Sequence, residues 1–202
     1  MNIALFGGTF SPPHNGHISA VKALIREFSP DLCLIVPAYS TPPKAREDGI
    51  DPSLRLQMAK IAFSDIPNVI VSDIEICRGG TSYTYDTINE IKKCYKTCEN
   101  IILLCGEDMF RSLPHWYHGT DILKTATVIY SLRRGGDAAE LTSLATEYAD
   151  LYGADCRTLE TDAIDISSSE IRAAFRRGDD ISPYVPPRIC EFIEKEKLYR
   201  DA

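Results

Sequence analysis

The chain has 202 residues, 44% of them hydrophobic and 25% charged, which suffices for one globular domain with a substantial core and is too short for two full ones. Its formal net charge of −7 excludes a broad nucleic-acid or membrane footprint, because such surfaces need clustered Lys and Arg. Any anion the chain binds has to be held locally.

The chain opens with Ile3, Ala4, Leu5 and Phe6, four apolar residues that predict a short buried strand. Gly7-Gly8-Thr9-Phe10 follows, and then Ile18, Val21, Leu24, Ile25 and Phe28 recur at helical spacing. Glycines let a backbone approach an anion closely, and the first turn of a helix leaves N–H groups unpaired and carries about +0.5 of a charge. Strand, glycine turn and helix in that order therefore predict a phosphate seat. His14 and His17, three apart, share one face where the helix begins and offer N–H donors to phosphate oxygens. Gly-x-Gly-x-x-Gly is absent and no Gly-Lys-Ser/Thr follows, so this is neither the dinucleotide fingerprint nor a Walker loop.

Leu32-Cys33-Leu34-Ile35-Val36 is a continuous apolar strand ending at Pro37. Strand, helix and strand, with both strands apolar, predict a parallel, buried sheet whose ligands sit beyond the carboxyl ends of the strands. Residues 38–49 are loop by composition, centred on Thr41-Pro42-Pro43-Lys44. Lys44 is either the first cation near the phosphate seat or an ordinary solvated lysine. Asp51-Pro52 starts a helix whose apolar stripe is Leu54, Met58, Ile61 and Ala62, and Arg55 on it is either a surface charge or a ligand contact. A short strand pair is expected over residues 69–71 and 74–76.

A polar, glycine-opened loop from Arg78 leads into a helix containing Ile88 and Ile91, with Thr84 as its candidate cap. Free amides behind that cap also suit a small carboxylate. Residues 100–105 form another buried strand. Asp108, just past its end, meets a ribose hydroxyl or a metal, or else caps a helix. Trp116, the only Trp, falls in a loop over 113–118 as a core anchor or a flat platform for a ring, with partial exposure expected. His115 and His118 have no third ligand nearby and read as loop residues. A strand over 125–131 leads to Arg133 and Arg134, placed to face polyphosphate. A helix over 137–152 stops at Gly153, and residues 158–161 form a last strand. Ser167 and Glu170 make a capping box, so Ser168 starts a helix with Arg172 one turn in. Their hydroxyls and guanidinium also make a second anion seat. A helix over about 187–199 follows.

Seven cysteines (Cys33, Cys77, Cys94, Cys98, Cys105, Cys156 and Cys190) are odd in number, and several lie in apolar runs, which fits reduced residues of a cytoplasmic protein. Cys94 and Cys98 form the one local pair, and no second pair stands at zinc-site spacing. No basic region precedes the first apolar run and no apolar stretch reaches membrane-spanning length, so nothing marks the chain for export.

Gly7-Gly8-Thr9-Phe10 with His14-Asn15-Gly16-His17 resembles the His-x-Gly-His signature of the nucleotidylyltransferase superfamily. Further matches are Pro42-Pro43-Lys44, Arg78 with Ser82-Tyr83-Thr84 and Asp86-Thr87, and Gly106 with Asp108. Leu113-Pro114 with Trp116, Ile166-Ser167-Ser168-Ser169 with Arg172, and Val185-Pro186 with Leu198-Tyr199 complete the set. Together they resemble the bacterial nicotinate-nucleotide adenylyltransferases over almost the full length. The implied fold is α/β, a single Rossmann-like domain over residues 1–202 with a central, mainly parallel sheet flanked by helices. The implied reaction moves AMP from ATP to nicotinate mononucleotide, giving deamido-NAD and pyrophosphate, with ATP as co-substrate and Mg2+ as accompanying cation.

By matching positions, the resemblance makes His14, His17, Lys44 and Arg172 catalytic. It assigns Gly7, Gly8, Thr9, Phe10, Gly106, Asp108, Arg133, Ile166, Ser167 and Ser168 to the nucleotide. Ser82, Tyr83, Thr84, Trp116 and Tyr117 are assigned to the mononucleotide, by ring stacking on Trp116 and backbone N–H bonds to the carboxylate. No residue is assigned to a metal. The implied partners are small molecules, with no nucleic acid and no membrane, and a homo-oligomer is left open. Three positions depart from the family pattern: Ser11 replaces the usual Asp or Asn, Lys44 lacks the histidine that commonly precedes it, and Ser169 replaces a common Thr. Pantetheine-phosphate adenylyltransferases share the histidine and serine motifs but lack the Ser-Tyr-Thr and Leu-Pro-x-Trp segments. A nicotinamide mononucleotide enzyme differs only in the ring substituent.

Overall fold

The computed structural model describes residues 1–41, 49–132, 138–161 and 166–200, and among these six strands form one all-parallel sheet in the order β3-β2-β1-β4-β5-β6. The strands are β1 (Asn2–Gly8), β2 (Leu32–Pro37), β3 (Val69–Val71), β4 (Asn100–Gly106), β5 (Thr127–Leu132) and β6 (Asp155–Glu160). Successive residues of a strand point to opposite faces, so an unbroken apolar run needs a core on each side. Both cores are present. Ile3, Leu5, Leu34 and Leu103 enter one, while Ala4, Phe6, Ile35 and Leu104 enter the other.

Against the second face lie α1 (Asn15–Phe28), through Val21 and Leu24, and α2 (Pro52–Phe63), through Ala59 and Phe63. Against the first lie α4 (Thr84–Cys94), α5 (Glu107–Ser112), α6 (Gly119–Thr125) and α7 (Ala138–Tyr152). A third core gathers Met58 of α2, Ile171 of α8 (Ser168–Arg177), and Ile189 and Ile193 of α9 (Pro187–Lys195), with Leu198 and Tyr199. It ties α8 and the end of the chain to the outer side of α2. Among the described residues no helix is long and apolar enough to cross a membrane.

From β1 the order runs one way through β2 to β3 and the other way through β4 to β6, so the sheet reverses between β1 and β4. Loops leaving the carboxyl ends of two such strands turn away from each other and open a crevice. The register brings those ends level: Leu5 stands opposite Leu103, and each strand ends three residues later, at Gly8 and Gly106.

Two expectations shift. Residues 74–76 are not a strand but part of α3 (Ile74–Arg78), which starts after Asp73 and ends at Gly79 with φ 68°. The alternation of Ile74 and Ile76 mimics a strand, yet β3 already pairs in parallel with β2, and Glu75 between them is buried rather than facing water. The last strand begins at Asp155, not Thr158, because β6 is a sheet edge whose early residues are largely exposed and carry no apolar signal.

α6 opens against the short 3-10 turn Leu113–His115, and Gly119 makes this approach possible. A Cβ there would stand 1.9 Å from the Leu113 carbonyl oxygen, a backbone atom with no side-chain freedom to yield. Gly119→Ala is therefore expected to cost roughly 2–4 kcal/mol, as overpacking against backbone does. Urea denaturation reads the loss, and one below about 0.5 kcal/mol would mean that the turn moves freely.

Candidate active site

β1 ends in Gly7-Gly8, and the chain then makes a strained turn at Phe10, whose φ is 50°. A bulky residue holds this left-handed conformation only when its surroundings fix it. The Phe10 ring does so by meeting Phe6 at 5.5 Å, Phe63 at 5.9 Å and His17 at 5.1 Å between centroids. A Cβ on Gly8 would come within 3.1 Å of that ring, while one on Gly7 would meet nothing within 4 Å. Gly8 thus admits the anchor and Gly7 leaves backbone open.

His14 stands at the N-cap of α1, and its ring lies 3.6 Å from that of His17, centroid to centroid. The backbone N–H of His14 donates to His17 Nδ1 at 3.1 Å. With Nδ1 accepting, a neutral His17 carries its proton on Nε2. The ring is therefore set as a donor.

The capping box predicted for α8 is present. Glu170 accepts the Ser167 N–H at 2.7 Å, and Ser167 Oγ accepts the Glu170 N–H at 3.2 Å. From this opening Ser168 Oγ donates to the Pro12 carbonyl at 2.9 Å, and Arg172 donates to the Ser11 carbonyl at 2.7 Å and to Ser169 Oγ at 3.1 Å. Ser11 itself is fully buried, its hydroxyl 3.0 Å from the Tyr199 phenol. The family departure at this position is thus filled by a serine–tyrosine pair.

The two helix openings face one cleft of about 410 Å3. Gly7, Gly8, Thr9 and Phe10 line it from the end of β1, and His14 and His17 from α1. Gly106 and Asp108 contribute from the end of β4, and Ile166, Ser167, Ser168 and Arg172 from α8. Lys44 and Arg133 lie outside the described residues.

The residues expected to take the mononucleotide gather on a neighbouring surface. Tyr83, not Thr84, is the N-cap of α4, and Thr84 is the first helical residue. The Tyr83 ring meets Tyr117 at 4.6 Å. Trp116 is half-buried and donates from Nε1 to Ser112 Oγ at 3.0 Å, whereas Tyr117 is half exposed. Tyr83, Thr84, Trp116 and Tyr117 do not themselves line the cleft. Ser82 links the two regions, because Tyr39 and Ser40 line the cleft and Ser82 Oγ accepts the Tyr39 N–H at 2.9 Å while its own N–H donates to the Ser40 carbonyl at 2.7 Å.

Two buried charges extend this wall. Arg55 is 4% exposed and donates to the Thr9 and Tyr39 carbonyls, each at 3.0 Å. On α2 it shares one buried face with Met58 and Ala59, at i, i+3 and i+4. Glu75, 6% exposed, accepts from Thr87 Oγ1 at 2.5 Å, and Arg78 joins Thr87 and Glu90, each at 3.0 Å. Burial raises the Glu75 carboxyl above its usual range, against the opposing pull of bonds from Thr87 and Ser82 and the charge of Arg78. No spacing rule announces a carboxylate there. Burial also pushes the Cys33 and Cys105 thiols up to about 12, which leaves them protonated and inert as nucleophiles.

Residues 5–174 match the family model described as cytidylyltransferase-like. A relative from Albidiferax ferrireducens, named "Probable nicotinate-nucleotide adenylyltransferase", is 33% identical over 201 residues, 99% of this chain and 98% of its own. One of the same name from Clostridium botulinum is 30% identical over 202 residues, 99% of this chain and 100% of its own. Among solved structures, the Plasmodium falciparum nicotinic acid mononucleotide adenylyltransferase complexed with NaAD superposes with a TM-score of 0.81 at 18% identity, covering 98% of this chain and 97% of that one. That last likeness is one of fold.

Glu75 gives the site wall a pH dependence. Its raised value means that the folded state holds the proton more tightly than the unfolded chain, so stability present below the ordinary carboxylate pKa is lost as pH rises through the raised one. The Tm of the wild type minus that of Glu75→Gln should therefore fall as pH rises above the ordinary carboxylate range. A difference that is flat or rises with pH would overturn this.

Proposed function

The chain belongs to the cytidylyltransferase-like family, among the bacterial nicotinate-nucleotide adenylyltransferases, and we propose that it transfers AMP from ATP to nicotinate mononucleotide by direct in-line attack. The observation that supports this most is the convergence of the α1 and α8 openings on one cleft, laced together by Ser168 and Arg172. Two N-termini, two imidazoles and a guanidinium around one space suit a triphosphate.

In this reading an oxygen of the mononucleotide 5'-phosphate bonds to the α-phosphorus of ATP. The bond from that phosphorus to the oxygen bridging to the β-phosphate breaks, and its electron pair leaves with pyrophosphate. No protein nucleophile is needed, in keeping with thiols that burial keeps protonated. The protein aligns the reactants, worth up to roughly 7–11 kcal/mol, and stabilises the charge that spreads over the phosphates.

His14 and His17 hold the triphosphate and the transition state, His17 through Nε2–H. Lys44, Arg133, Ser168 and Arg172 hold phosphates, and Gly7 to Phe10, Gly106, Asp108, Ile166 and Ser167 surround the nucleotide. The mononucleotide lies toward Ser82, Tyr83, Thr84 and Tyr117, with its ring on Trp116 and its carboxylate on backbone N–H groups. Mg2+ bound with the phosphates would neutralise part of their charge, with Asp108 as the carboxylate to hold it. The donor set suits it, since Asp108 lines the cleft and this ion is usually held by phosphates, waters and one or two carboxylates. Residues 1–202 act as one domain, and a reducing cytoplasm suits seven cysteines that form no disulfide.

Pyrophosphate release with ATP and each mononucleotide in turn tests the reading. The acid should give the higher kcat/KM, and preference for the amide would overturn the substrate assignment. His17→Ala should lower kcat by about a hundredfold or more, as loss of one preorganised donor does. A fall of about tenfold or less would remove His17 from that role.

A further inference from the structure

Between the cleft and the surface around Tyr83 runs an unbroken chain of polar contacts. It begins at the Thr9 carbonyl, beside the glycine pair, which accepts from Arg55 Nη1 at 3.0 Å. The other arm of the same guanidinium reaches the Tyr39 carbonyl at 3.0 Å. Across that residue the Tyr39 N–H donates to Ser82 Oγ at 2.9 Å, and the Ser82 N–H returns to the Ser40 carbonyl at 2.7 Å. Ser82 itself directly precedes Tyr83, the N-cap of α4, and on the first turn of that helix Thr87 Oγ1 donates to Glu75 at 2.5 Å. The Thr87 backbone N–H donates to the Tyr83 carbonyl at 3.2 Å, which ends the chain on the opening of α4.

We propose that Arg55 is a positioning residue that couples the two substrate seats, making the loop after β1, the Tyr39-Ser40 segment and the α4 opening move as one unit. The proposal rests on the assignment of ATP and mononucleotide to those two ends. Arg55 is 4% exposed, and a guanidinium so deeply buried is stable only while its donors are used. Its planar fork spans carbonyls on two loops that leave neighbouring strands, β1 and β2, so neither loop shifts without leaving a buried charge under-bonded. Ser82 grips both peptide groups flanking Tyr39 and Ser40 from the opposite side. A nucleotide that fixes Thr9 thereby fixes Ser82 and the start of α4, and by reciprocity a mononucleotide seated there favours the nucleotide-bound form of the loop. Arg55 lines the cleft as well, but its guanidinium donates to the Thr9 and Tyr39 carbonyls. Its effect passes through Tyr39 and Ser82.

The test measures the Kd of nicotinate mononucleotide by calorimetry with and without saturating α,β-methylene ATP, whose α,β linkage cannot be cleaved, on the wild type, Arg55→Lys and Ser82→Ala. In the wild type the analogue should tighten mononucleotide binding by about fivefold or more, with the same factor when the ligands are exchanged. Arg55→Lys keeps the charge but loses the fork, and should bring the ratio to within about twofold with a higher KM for the mononucleotide and little change in kcat. Ser82→Ala keeps Arg55 whole and should lower the ratio equally. Because the readout is a ratio, weakening a direct hydrogen bond to one ligand does not imitate the effect. Coupling equal to the wild type in a folded variant overturns the relay while leaving the substrates standing. A wild type that binds the mononucleotide without coupling also overturns it, and one that does not bind the mononucleotide overturns the substrate assignment and the relay together. If Arg55→Lys does not fold, Ser82→Ala decides.

Discussion

The bonds from the α8 opening to the loop after β1 join segments 156 and 161 residues apart, Ser168 to Pro12 and Arg172 to Ser11. They bring two helix N-termini to one space, each with roughly half a positive charge, an arrangement that is unfavourable until an anion lies between them. The sheet supplies the space, because its order reverses between β1 and β4. The third core supplies the lean of α8, since Ile171 packs with Met58, Ile189 and Ile193, and the Tyr199 phenol reaches back to Ser11. Apolar packing far from the cleft thus decides where its guanidinium stands.

Polar burial follows the same logic. Ser11, His14, Arg55, Glu75 and Thr87 are buried, and each belongs to a loop or helix end along the carboxyl edge of the sheet. Desolvating such groups costs free energy that leucine or valine would not, so they add little to net stability. What they add is position. A hydrogen bond fails over a few tenths of an ångström, whereas an apolar contact tolerates sliding. The sheet provides most of the stabilising area, and a thin polar layer over its edge converts that rigidity into fixed loops.

Legibility in the sequence followed how much of each signal is local. β1, β2 and β4 are unbroken apolar runs buried on both faces, and α1 and α8 carry their start signals within a few residues, so these elements and the seats they open were visible at once. β6 was only partly visible because an edge strand shows water the side chains a central strand would bury. α3 was misread because two isoleucines two apart satisfy a strand and a short helix equally. The cleft residues His14, His17, Asp108, Ser168 and Arg172 were found because glycine turns, strand ends and caps announce them. Arg55 reads in the sequence as either a surface charge or a ligand contact, and Glu75 is not singled out because its stretch reads as a strand; tertiary packing is what covers both. The separation of Trp116 and Tyr117 from the cleft was likewise invisible, being a matter of how α5, the 3-10 turn and α6 fold back on the sheet.

The tautomer of His17 bears on what kind of catalyst this site makes. A phosphate nucleophile is already anionic at neutral pH, so its attack on another phosphate requires no proton to be removed. A histidine whose Nδ1 is occupied by the His14 backbone N–H, and whose Nε2 therefore carries hydrogen, is poorly placed to act as a base and well placed to donate toward developing negative charge. The ring is further fixed by Phe10 on one side and by His14 on another, so little reorganisation is needed when that charge appears. On the proposed reaction, the strain held at Phe10 becomes intelligible, because a left-handed turn locked by three aromatic contacts keeps in register both the glycine backbone that meets the phosphates and the imidazole that stabilises them.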